Sequence, residues 1–563
     1  MTDTGSLVRP VREPSGVLAV APPAELDVCA GGIDRAREAA LRGPQAPAGP
    51  AFGSVYACLR RHAEQRPDAA CVITDQEVSS YRQVLALTDS ISTRLRDAGC
   101  RAGDPVAVAV PRGTLSVACL VAVESLGAVY VPLDADWPDE RQQAVLCSSN
   151  CAYLVVAEAP KSQTSLVRAA KAVGAGVVTA PARPDQHRVQ PPARTAEPSE
   201  PRYVIHTSGS SGVPKGVVVT QLGMANSVAA MVDSLALQPT DVVAFTAPAS
   251  YVVSVWQLTS ALVAGAAVAV VDEGSVSFPR RLLGVVHRSG VTVLQLVPAS
   301  LSALVASASA AMLAERLAGL RVLISTGAPI SLALLQQVRD LLPAVTMLNA
   351  YGATECSDDV AHQVYRPGDE LDGGQRFAPA GRPLPGTSAY VLTHRAEGWD
   401  AAGAGEVGEL FVGGRPVAAG YLRAGEHRTG AFYRDPFDAG SPTGRLYRTG
   451  DLAVVRNGAI DCLGRRDRQV KVRGMRLELD EVEVAAMRLA GVARAAALVA
   501  GDRLRIFFES DTVSTEAMRG QLRRTLPRGL VPSEVVRLLA LPRTISGKTD
   551  YERLRARTEA GGT

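Results

Sequence analysis

The chain lacks any apolar run approaching the roughly 18 residues that a membrane-spanning helix needs. Its longest, Ala261–Val271, suits a buried strand or helix segment. The opening residues, MTDTGSLVRPVREPSG, lack the hydrophobic stretch of a secretory signal, so the expected location is the cytoplasm. Cysteine never forms a CxxC pair, and its count of nine is odd and thinly spread. That argues against structural zinc or a disulfide framework. An excess of one charge is also missing. Lys plus Arg number 59 against 56 Asp plus Glu, a net +3. There is no basic field for nucleic acid and no acidic one for cationic partners. No internal repeat is present.

Lysine is scarce. Lys161, Lys171, Lys215, Lys471 and Lys548 are the only five among 59 basic residues. Arg serves wherever a cation must simply be soluble, so a retained lysine points to a site wanting a compact point charge on a thin stem. Three of the five, Lys215, Lys471 and Lys548, fall in Gly-containing motifs.

What the sequence does contain is a globular balance, 47% hydrophobic and 20% charged. Its 563 residues correspond to about three to four domain-sized units, or fewer large ones. Residues 1–50, rich in Pro, Gly and Ala, read as a flexible leader, with one short helix near Ile33–Leu41. Beyond it, strand-like runs alternate with helical ones. Val106–Val110, Ala128–Leu133, Tyr153–Val156, Val242–Phe245, Ala267–Val271, Val293–Val297 and Val322–Ser325 read as strands, and Tyr81–Leu95 and Thr114–Leu126 as helices. That alternation predicts an α/β fold of layered, mostly parallel sheets. Past about Gly386, short strands between Gly-rich turns predict a β-rich subdomain. The expected division is a large N-terminal domain over 51–466 and a small mobile α+β domain over 467–563, with a helix at Glu478–Leu489.

The densest chemical signal is Tyr203–Thr220, YVIHTSGSSGVPKGVVVT. A strand-like run enters a loop of Thr207, Ser208, Gly209, Ser210, Ser211 and Gly212, followed by Lys215 and a second strand-like run. Small residues expose backbone N–H groups and hydroxyls that can fold into an anion-binding nest, and Lys215 adds a cation. The loop is suited to a polyphosphate, but it is not GxxxxGK[ST].

This segment resembles the phosphate loop of the adenylate-forming superfamily: acyl-CoA synthetases, luciferases and the adenylation domains of nonribosomal peptide synthetases. Further segments match in order: Gly127–Asp134 (GAVYVPLD, resembling the peptide-synthetase branch), Asn349–Glu355 (NAYGATE), Tyr447–Leu452 (YRTGDL), Gly464–Glu483 (GRRDRQVKVRGMRLELDEVE) and Pro542–Asp550 (PRTISGKTD). The resemblance covers about residues 52–555. It implies ATP and Mg²⁺ as cofactors, with Glu355 as the hard oxygen ligand of the metal and Thr354 donating to the α-phosphate. It places Asn349, Ala350, Tyr351 and Gly352 at the adenine, Asp451 at the ribose hydroxyls and Arg465 at the nucleotide. Lys548 becomes the catalytic lysine on the substrate carboxylate, and Asp467 the hinge beyond which Lys471 and Arg473 trade places with the lysine loop. The implied reaction is attack of a carboxylate on the α-phosphorus of Mg-ATP. Transfer of the acyl group follows, to the phosphopantetheine thiol of a separate carrier protein, with a small helper protein an open question.

The substrate segment departs from the family pattern. Amino-acid-activating relatives place an Asp where Tyr251–Trp256, YVVSVW, has Val252. A valine cannot pair an α-ammonium, and a buried unpaired charge costs several kcal/mol. Carried through by resemblance, the remaining lining is Val253, Trp256, Ala299, Ile324, Thr326, Ala350, Asp358 and Asp359. One end is apolar and the other has adjacent carboxylates. A β- or ω-amino acid such as β-lysine or β-alanine fits, although neighbours on an extended segment face opposite ways, so one Asp alone suffices. The alternatives are a 2-oxo, 2-hydroxy or aryl acid activated by the same chemistry, or an acyl-CoA synthetase.

Overall fold

The computed structural model describes residues 18–46, 52–134, 136–158, 164–191, 194, 196–209, 214–371, 375–422, 430–472, 475–500, 503–543 and 549–559. A mixed nine-stranded sheet and a mixed seven-stranded sheet form its bulk. In the nine-stranded sheet, Val242–Phe245, Ala267–Val270, Val293–Leu296, Val322–Ser325 and Thr346–Ala353 run parallel. In the seven-stranded sheet, Pro105–Ala109, Val129–Pro132 and Tyr153–Ala157 do so. These strands are near-continuous runs of Val, Leu, Ile and Ala because helices cover both their faces. One hydrophobic core joins the inner faces of both sheets to helices Val55–Gln65, Tyr81–Asp97, Thr114–Ser125, Gln221–Ser234 and Val253–Ala264. Helix starts follow local chemistry: Ser54 accepts from the Ala57 amide, and Ser80 with Gln83 forms a capping box.

A third sheet is β-rich, built from Thr387–Arg395, Gly408–Gly414, Arg445–Arg456 and shorter strands. The last part of the chain forms a hairpin, Gln469–Val472 with Met475–Glu478, and a three-stranded sheet with helices Leu479–Met487, Thr515–Thr525 and Tyr551–Glu559. It has apolar clusters of its own, around Ile506, Phe508, Met518 and Leu522 and around Phe507, Leu541 and Leu554. Among the described residues no single helix is long and apolar enough to cross a membrane.

The expected flexible leader differs from the structure over residues 18–46, which form a strap. Helix Gly32–Ala39 buries Ala36 against Tyr390, Trp399 and Phe411, and Leu41–Arg42 adds antiparallel to the edge of Thr387–Arg395. The strap starts against the seven-stranded sheet, where the Ala21 amide donates to the Tyr421 carbonyl. Its order comes from partners more than 300 residues away, which local composition cannot register.

Candidate active site

Three residues of the expected acid pocket sit where parallel strands end. Thr326 follows the strand Val322–Ser325, Ala299 lies just past Val293–Leu296, and Val252 lies beyond Val242–Phe245. Carboxyl ends of parallel strands are the usual place for ligands in open α/β sheets, since the loops there are free to carry polar groups.

The expected phosphate loop joins two antiparallel strands, with Thr207 opposite Lys215. The Thr207 hydroxyl is buried and has no partner among the described residues. Ser208 and Lys215 do have partners, and both lie on the C-terminal hairpin. The Ser208 hydroxyl donates to the Arg476 carbonyl (3.1 Å) and accepts from the Glu478 amide (3.3 Å), while Lys215 Nζ lies 3.5 Å from Glu478 Oε1. Ser210, Ser211, Gly212, Arg473 and Lys548 lie outside the described residues.

Glu355 sits in the short turn Thr354–Cys356 and is 0% exposed. Its Oε1 accepts from the Tyr421 hydroxyl (2.7 Å) and its Oε2 from Arg476 Nη1 (2.6 Å). Burial pushes this carboxyl up. The Arg476 charge, the Tyr421 hydroxyl and its own backbone N–H more than offset that, holding it below the ordinary carboxylate range. Asn349 donates to the Pro379 carbonyl (2.7 Å), and Tyr351 donates its hydroxyl to Asp451 Oδ2. Arg465 bridges Asp451 Oδ1 (2.7 Å) and Asp467 Oδ1 (2.7 Å), tying the expected ribose carboxylate to the expected hinge. Lys471 lies opposite Arg476 in the hairpin.

The expected acid pocket divides into two parts. Val252, Trp256, Ile324 and Ala350 belong to the central core, with Val253 packed against it. The Thr326 hydroxyl donates to the Ala350 carbonyl (3.2 Å), and Ala299 is half-buried in the first turn of Pro298–Ala306. Asp358 and Asp359 are both buried but differ in their surroundings. Asp359 Oδ2 lies 3.2 Å from His362 Nε2, whose Nδ1 lies 3.2 Å from the Ser234 hydroxyl. Asp358 Oδ2 has no hydrogen-bond partner among the described residues. Burial first, and the Asp359 charge second, push the Asp358 carboxyl well above the ordinary range. Gly352 allows the two strands to cross here, since a Cβ there would overlap the Asp358 carbonyl oxygen.

Sequence reasoning missed Arg476, Tyr421, His362 and the pair Arg141–Glu481. The last is an ion pair of 2.8 Å between the large sheet-bearing part and helix Leu479–Met487, with side chains 7% and 3% exposed. Arg476 and Glu481 lie inside the hinge motif, so a signal was there. Tyr421 had none, because its place is set by pairing with Val217.

Comparison with known proteins shows the family. Residues 59–422 match the family model described as AMP-binding enzyme. The chain is 31% identical over 519 residues to enterobactin synthase component F of Escherichia coli (strain K12), covering 89% of this chain and 39% of that protein. It is 30% identical over 513 residues to the dimodular nonribosomal peptide synthase of Bacillus subtilis (strain 168), covering 89% and 21%. It thus spans less than half the length of these relatives. The fold superposes on the Vibrio cholerae adenylation domain AlmE, solved in complex with glycyl-adenosine-5'-phosphate, with a TM-score of 0.74 at 21% identity, covering 92% of this chain and 99% of that one. The chain belongs to the AMP-binding enzyme family, the adenylate-forming ligases that include the adenylation domains of nonribosomal peptide synthetases.

Proposed function

We propose that this chain activates an amino acid whose ammonium lies away from the α-carbon, a β- or ω-amino acid such as β-lysine or β-alanine. The acid becomes an acyl-adenylate at the expense of ATP and passes to the phosphopantetheine thiol of a carrier protein. One observation carries the substrate assignment. By resemblance to the family, Val252 takes the place of the anion that would hold an α-ammonium, while Asp358 offers a buried carboxylate oxygen with no described partner. An incoming ammonium supplies the missing charge, and Asp359, held by His362, stays out of the exchange.

The chain's own residues then divide the work. The loop around Ser208 and Lys215 grips the phosphates, Asp451 fixes the ribose, and Lys548 neutralises the acid's carboxylate as its oxygen attacks the α-phosphorus and pyrophosphate leaves. Catalysis of this kind is mostly positioning and charge stabilisation. Glu355 is a hard oxygen donor that would hold Mg²⁺, and the ion would offset charge on the phosphates. The described arrangement, with the hairpin on Ser208, Lys215 and Glu355, suits the second half-reaction, in which the thiol displaces AMP from the acyl carbon.

The test is ATP–pyrophosphate exchange over a panel of acids. Exchange with β-lysine or β-alanine, and none with α-lysine, supports the reading. Exchange confined to 2-oxo or aryl acids overturns the substrate assignment while leaving the chemistry.

A further inference from the structure

We propose that Arg476 and the Mg²⁺ that accompanies ATP are alternative occupants of the Glu355 carboxylate, so that hairpin docking and metal binding exclude one another. This rests on the adenylate-forming reading. Glu355 is fully buried, and a buried carboxylate is stable only beside a cation with its lone pairs satisfied. One oxygen is taken by the Tyr421 hydroxyl at 2.7 Å. The other receives Arg476 Nη1 at 2.6 Å, so a divalent cation on that oxygen would stand against the positive charge of the guanidinium.

Three further observations make the competition specific. First, the hairpin also occupies Ser208 and sets Glu478 beside Lys215. It therefore engages phosphate-gripping residues together with the metal carboxylate. Second, among the described residues no cluster of three or more His, Cys, Asp or Glu could hold a metal alone. The ion must arrive with phosphate oxygens and waters completing its shell, as Mg²⁺ commonly does, and so it enters with nucleotide. Third, the docked state has a second anchor away from Glu355. Arg141 pairs with Glu481 at 2.8 Å and lies over the Trp137 ring. Arg476 is thus a positioning residue: it stabilises the docked hairpin by giving Glu355 the positive charge that the metal would otherwise supply. Linkage then requires that docking weakens metal binding by the same factor as metal binding weakens docking.

The experiment uses the full chain as wild type, Arg476→Gln and Arg141→Gln. Mn²⁺ serves as an EPR-visible probe with a non-hydrolysable ATP analogue, and hydrogen–deuterium exchange reads the amides of Gln469–Glu478. The expected result is Mn²⁺ affinity raised about tenfold in Arg476→Gln, a change of about 1.4 kcal/mol, and raised to a lesser degree in Arg141→Gln. Hairpin amides should be deprotected in both, and in wild type once Mn²⁺ and the analogue saturate it. Equal Mn²⁺ affinity in all three proteins, or a wild-type hairpin that stays protected at saturation, overturns the proposal. If Arg476→Gln fails to fold, Arg141→Gln carries the test, since it leaves Glu355 and its partners untouched. Pyrophosphate exchange by wild type is read separately. Its absence with every acid would sink the adenylation reading, whereas exchange with flat Mn²⁺ affinities would sink only the exclusion.

Discussion

Asp358 is held at a φ of 113°, beside Ser357 at 59°, a region that side chains other than glycine's rarely adopt. Strain of this kind costs of order 1–3 kcal/mol and tends to sit at functional sites. The carboxyl it carries is raised by burial and by Asp359. A group raised in the folded state contributes stability below its unfolded value of about 3.9 and loses it as pH rises through the folded value. Asp358→Asn should therefore melt close to wild type near pH 4 and above it, by about 1–3 °C, near neutrality. Calorimetry across pH checks this. The same change should lower kcat/KM for a β-amino acid by about 10²–10³-fold, the usual cost of stranding one partner of a buried ion pair. Gly352→Ala, by pushing on the Asp358 carbonyl, should destabilise by about 1–3 kcal/mol, as overpacking does, measured by denaturant unfolding.

At the scale of elements, legibility follows how local the cause is. Val322–Ser325 and Val242–Phe245 run in the structure over the residues expected for them. Their apolar β-branched runs end at polar loop residues, and that contrast is visible in sequence. The short helix expected near Ile33–Leu41 is there as Gly32–Ala39, but the docking of the strap was not legible, because Ala36 and Leu41 gain their partners from Tyr390 and Ala389. Gly43 shows how tight that docking is: a Cβ there would overlap the Leu384 carbonyl. Gly43→Ala should release the strap, seen as faster amide exchange over residues 18–46, with the nine-stranded sheet unaffected. The motifs gave an expectation for the phosphate and adenine segments. They could not show that Asp358 and Asp359 differ, since His362 selects Asp359 through a three-residue offset across a β-bulge.

At the scale of the whole molecule, the two parts of the chain meet through charged contacts: Arg476 with Glu355, Lys215 with Glu478, and Arg141 with Glu481. A greasy interface would fix one orientation, whereas charged pairs can be exchanged for substrate charges. Lys548→Ala should abolish pyrophosphate exchange with the β-amino acid, since the proposed charge on the acid's carboxylate is then lost. The substrate proposal turns on an ammonium remote from the α-carbon meeting Asp358. Wild type and Asp358→Asn are compared in pyrophosphate exchange, using β-lysine or β-alanine and the matching acid with that amine replaced by hydrogen. The variant should lose exchange with the amino acid and keep or gain it with the uncharged acid. Equal loss with both, or none with either, would contradict the proposal.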